Sequence, residues 1–127
     1  MQTYHDKLDR LVETKVSLNR KIKKTIKSQN LKKELTLINF KIHDLILNQI
    51  GDKTPTNLGI YKEALFQDIK RIKKKIKLTT NEYFAERIEE SEYIYIVMIL
   101  KNKLSACDEE LFIVNKLVLS FLDEVVQ

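Results

Sequence analysis

The sequence predicts an all-α fold, a compact antiparallel helical bundle of four to five helices, and three observations carry that expectation. Gly51, Gly59 and Pro55 are the only glycines and proline in the chain, and all fall in one short window. A β-rich fold needs many turns and spends glycine on them, so this scarcity favours long helices with few connections. Apolar residues recur at spacings of three and four over most of the length, the period of a helix face. With 43% apolar and 32% charged residues the bulk of the chain is too hydrophobic for disorder. Its 127 residues suit a single core, hence one domain over 1–127.

The first helix is expected over about 3–27. Thr3 and Asp6 form a capping box, and Tyr4, Leu8, Leu11, Leu18 and Ile22 line one face. The SQN stretch at 28–30 breaks that phase. A second helix, about 31–50, carries Leu31, Leu35, Ile38, Ile42 and Leu45, widened by Leu37, Phe40, Ile46 and Ile50, and Gly51 caps its end. Residues 51–57 read as the linker. A third helix, about 58–78, has Tyr61, Leu65, Ile69, Ile72 and Ile76 on its inner face. TTNE at 79–82 reads as a second capping box, Thr79 with Glu82, opening a fourth helix at about 81.

SEYIYIVMIL at 91–100 contains eight consecutive apolar residues. A half-buried strand would alternate in character, and this run does not; INFKI at 38–42 is the best competing strand partner. The stretch therefore reads as helix. From Tyr93 the steps through Val97, Leu100, Leu104, Cys107, Leu111, Val114, Val118, Phe121 and Val125 are four and three throughout. Two readings of the C-terminal part follow. Either Ser105 or Asp108 caps a fifth helix, giving helices at 81–104 and 108–126, or one helix runs from about 81 to 126. The second would be roughly 70 Å long and would suit an elongated or dimeric assembly; the break is preferred.

An amphipathic surface helix needs an apolar stripe little over 100° wide, whereas Tyr93 to Leu100 is apolar all round. The stretch is thus expected to be enclosed on every side, by the bundle or by another chain. Tyr93, Tyr95, Met98, Phe112 and Phe121 are the candidate apolar interface for a second copy or a client protein.

Charge is unevenly spread. Residues 1–79 carry 19 Lys and Arg against 8 Asp and Glu, a net of +11, and residues 80–127 carry a net of −6. Two clusters hold much of the positive charge: Arg20, Lys21, Lys23, Lys24 and Lys27, and then Lys70, Arg71, Lys73, Lys74, Lys75 and Lys77. In an up-down-up bundle both would gather at one pole, beside the acidic series Glu82, Glu86, Glu89, Glu90 and Glu92. Cations ending a helix and carboxylates opening one complement its dipole, so a self-compensated, solvated face competes with an anion-binding one. Nucleic acid held there would be bound through phosphates, because arginine is scarce, Trp is absent and no aromatics interleave with the lysines. Lysine outnumbers arginine 19 to 4, a bias that an A- and T-rich genome also produces.

Motifs for chemistry are missing. Two glycines cannot build a phosphate loop or dinucleotide fingerprint, and His5 and His43 sit in no ligand or nucleophile pattern. Cys107 is the single cysteine, read as a small core residue in a reducing compartment. No cofactor, metal or membrane span is expected, and a cytoplasmic location is. The sequence thus points to a non-enzymatic protein-binding helical module: an adaptor, small chaperone, immunity factor or inhibitor of low-GC bacterial or phage origin. The alternative is a nucleic-acid accessory protein without sequence preference.

Overall fold

The computed structural model describes the backbone of residues 2–126 and the side chains of 2–122. All regular structure among them is helical: α1 is Tyr4–Lys24, α2 Gln29–Ile50, α3 Pro55–Phe84 and α4 Glu90–Val126. The chain divides into two compact units, Met1–Lys53 and Thr54–Gln127. Each unit is one pair of packed helices, α1 with α2 and α3 with α4.

In the first unit the capping box is present as read. The Thr3 side chain accepts from the Asp6 N–H at 3.2 Å, and the Asp6 carboxylate accepts from the Thr3 N–H at 3.3 Å. Leu8 and Leu18 of the expected stripe are buried, as is Val12 between them. α1 ends at Lys24, three residues early, because the Thr25 hydroxyl turns back to donate to the Lys21 carbonyl while its backbone is extended. Across from α1, Ile42 and Ile46 are buried, whereas Leu37 and Phe40 are exposed. The stripe on α2 is therefore narrower than its apolar content suggested. Gly51 follows α2 with φ +65°, the left-handed backbone that glycine adopts without a Cβ clash.

The second unit departs from expectation at three places. α3 begins at Pro55, inside the expected linker: Thr54 caps it by accepting from the Asn57 N–H, and proline suits the first turn, where its missing donor is no loss. α3 then runs straight through TTNE to Phe84. Thr79 and Thr80 donate their hydroxyls to the carbonyls of Lys75 and Ile76 four residues back, so they prolong a helix instead of opening one. Finally, SACDEE contains no break. α4 is continuous for 37 residues, about 55 Å at the helical rise. Ser105 and Asp108 can cap a helix only where the chain has already left it, and the unbroken four-three stripe gives it no cause to leave.

The real interruption is at 85–89, a place with no glycine. Arg87 N–H bonds to the Glu82 carbonyl at 2.9 Å and Glu86 N–H to the Tyr83 carbonyl at 3.0 Å, which is the Schellman pattern of helix termination. Its left-handed position is held by Glu86, with φ +59°. An L side chain is strained there, so packing must hold the turn. Tyr93 of α4 supplies that packing, stacked on Tyr83 with ring centroids 4.5 Å apart and planes 9° from parallel. Its hydroxyl lies 3.2 Å from that of Thr80. Leu100, Cys107 and Val114 are buried along the expected stripe, with Leu58 and Leu65 buried on α3; Val125 lies outside the described side chains. A buried Leu or Val of this kind contributes about 1.5–3 kcal/mol.

Glu86→Gly is expected to raise unfolding stability by about 0.5–1 kcal/mol, the left-handed strain relieved less the extra chain entropy of glycine. Chemical denaturation monitored by circular dichroism measures it, and a drop in midpoint would show that the turn is not held in this geometry.

Candidate functional site

The first turns of α4 present a solvent-facing apolar patch. Tyr95 is 66% exposed, Met98 63%, Ile94 48% and Ile99 40%. Of the two expected ways of enclosing 93–100, by the bundle or by another chain, the chain's own helices do not supply the first. The segment is helical, but α3 covers one side of it only, and these four side chains point away from that contact. At 100° per residue they share one sector of the helix surface, so they form a single continuous patch.

Of the expected interface residues, the structure brings Tyr95 and Met98 into this patch. Tyr93 instead points to α3, as its stacking on Tyr83 shows. Phe121 is half-buried. Phe112 is exposed, but it sits roughly 20 Å along the helix from Met98, with the Lys116 ammonium 4.7 Å above its ring. Ile94 and Ile99 were not singled out in the sequence. Within an unbroken apolar run every position looks alike, and only the placement of α3 separates the covered side from the open one.

Both basic clusters are exposed, one in each unit. Arg20, Lys21, Lys23 and Lys24 occupy the last turns of α1, where the helix dipole favours them, and Lys27 lies in the connection that follows. The second cluster is placed differently from expectation. Because α3 extends to Phe84, Lys70, Arg71, Lys73, Lys74, Lys75 and Lys77 lie in its interior, nearly two turns from its end. Dipole stabilisation fades within the last turn and does not account for them. Lys70, Lys73, Lys74 and Lys77 share one face by their spacing, while Arg71 pairs with Asp68 at 3.5 Å on another. The acidic series is divided as well. Glu82 ends α3 and pairs with Arg87 at 3.2 Å, Glu86 forms the turn, and Glu90 and Glu92 open α4.

Two further features come from pairing helices that the linear sequence does not align. In the first unit Lys7 and Arg10 of α1 and Lys41 and Asp44 of α2 line an open groove of about 470 Å³. In the second, Glu110 is 3% exposed and accepts a hydrogen bond from the Tyr61 hydroxyl at 2.5 Å. Its phase was legible, three residues after Cys107 and four before Val114, and both of those are buried. A carboxylate on a buried face needs such a donor, since an unpaired one is costly to remove from water.

Among the described residues no group of three or more His, Cys, Asp or Glu side chains stands close enough to hold one metal ion. No described helix is long and apolar enough to cross a membrane. Comparisons with protein-family models, with curated proteins and with solved structures give no match for this chain.

Tyr61→Phe removes one hydroxyl and leaves Glu110 buried with a donor fewer, and is expected to cost about 1–3 kcal/mol of stability. Tyr95→Ala, on the open patch, is expected to stay within about 0.5 kcal/mol of the parent. Paired urea denaturation curves decide both.

Proposed function

We propose that the chain is a non-enzymatic protein-binding helical module whose contact surface is the Ile94, Tyr95, Met98 and Ile99 face of α4. The observation that supports this is the exposure of four large apolar side chains side by side on a well-formed helix. Singly exposed apolar residues are ordinary on protein surfaces; a contiguous group that includes a tyrosine and a methionine has the composition of an interface centre. An aromatic ring with few rotatable bonds loses little entropy on docking, and the methionine can adapt to the surface it meets. The patch costs the fold little to display, because the inner stripe of the same helix already holds α4 against α3. In this reading the packed helices are a scaffold, and the chain carries out no chemistry of its own.

Tyr95→Glu combined with Met98→Glu is expected to leave the helix content unchanged and weaken partner binding at least about tenfold, as loss of central contacts does. A photo-crosslinking side chain at position 95 should form protein adducts in the source cell, and the same group at exposed position 73 should not. Equal labelling at both positions counts against this face.

A second reading has its own support in the lysines of α3, which the helix dipole does not account for. If the Lys70, Lys73, Lys74 and Lys77 face binds nucleic acid, it holds phosphates with little sequence preference. Reversing all four to glutamate should then abolish low-salt binding to labelled DNA and RNA, and in the parent the logarithm of affinity should fall linearly with that of salt, with a slope of roughly three to four for four contacts. Fluorescence anisotropy across a salt series is the measurement; binding insensitive to the reversal rejects the reading.

A further inference from the structure

We infer that the partner of the α4 face is a second copy of this chain, with the two α4 helices packed antiparallel about a two-fold axis between Ile96 and Val97. The inference rests on the reading of that face as a contact surface and names its occupant. Ser91, Tyr95, Met98 and Asn102 step by four, three and four, the seam spacing of a packed helix pair, and Ile94 and Ile99 flank the seam. At 100° per residue Glu92 and Lys103 lie along one edge of it, and Glu90 and Lys101 along the other. All four charged residues are exposed.

This layout is self-complementary in one orientation only. Rotation about the two-fold axis sets Tyr95 opposite Met98 of the second copy and Ser91 opposite its Asn102. On one edge it brings Glu92 to the second copy's Lys103, and on the other Glu90 to its Lys101. Every charge then meets its opposite, twice over by symmetry. Parallel packing would set Glu92 against the second copy's Glu90 and Lys103 against its Lys101, and like charges so placed are repulsive. The glutamates also serve the start of the helix by complementing its dipole, but Lys101 and Lys103 lie in its interior and gain nothing there. Their position beyond the apolar patch is accounted for by the glutamates of a partner that runs the other way. The segment 90–103 spans only about 20 Å of helix, so the contact belongs with small, reversible interfaces.

Sedimentation equilibrium of the full chain from micromolar to millimolar concentration tests this. The parent's average mass is expected to rise from 15.0 kDa towards twice that value. Glu90→Lys with Glu92→Lys, and separately Lys101→Glu with Lys103→Glu, should each weaken self-association at least about tenfold. Mixing these two variants should restore it. All four positions are exposed, so circular dichroism should match the parent. A parent that stays at 15.0 kDa, a dimer indifferent to both reversals, or a mixture that fails to associate each overturns the inference. A photo-crosslinker at position 98 separates this failure from that of the reading beneath it. Adducts between two copies support the second copy as occupant. Adducts with a different protein from a monomeric parent overturn the dimer and leave the contact surface standing, while the absence of any protein adduct overturns both.

Discussion

A helix packed against one neighbour can bury one face, and that constraint organises the second unit of this protein. Within the unit α4 has α3 beside it, and the four-three stripe of Tyr93, Leu100, Cys107 and Val114 is turned towards the buried side. Everything apolar outside that stripe is left over. Over most of α4 the excess is scattered, but between Ile94 and Ile99 it is continuous, so the functional reading and the packing have the same origin. The inner stripe holds α4 in place, and the helix then displays what the stripe did not use.

The corner at 85–89 sets which residues fall on which side. A left-handed Glu86 is unfavourable by itself, and the stacking of Tyr93 on Tyr83 with the Thr80 hydroxyl alongside ties the two helices together just beyond it. Tyr93 is thereby committed to α3, and Tyr95, two residues on and some 200° round the helix, is committed to the opposite side. Glu110 and Tyr61 make a second polar tie farther along the same pair. Apolar stripes tolerate sliding past one another, whereas specific hydrogen bonds between two helices do not. The two ties thus fix the register that the stripe alone would leave loose.

Charge follows the same division between what a helix end explains and what it does not. The lysines closing α1 and the glutamates opening α4 sit where a helix dipole welcomes them, and they need no ligand to account for them. The lysines in the middle of α3 and those at 101 and 103 in α4 lie beyond that influence. They are the charges on which the two proposals rest: phosphates for the first group, the glutamates of a second copy for the other.

The sequence by itself determined the helical class, the Thr3 cap, the Gly51 terminus and the inner stripes, because each depends on residues within a turn or two of one another. It named Tyr95 and Met98 as interface candidates from the surplus of apolar residues, and it left Ile94 and Ile99 unmarked. Tertiary structure decided the rest. The turn at Glu86 is held by Tyr93 of the facing helix stacking on Tyr83, a contact that local propensity cannot encode. Which side of YIYIVMIL faces water was settled in the same way, since identical apolar chemistry on all sides carries no direction until a neighbour covers one of them.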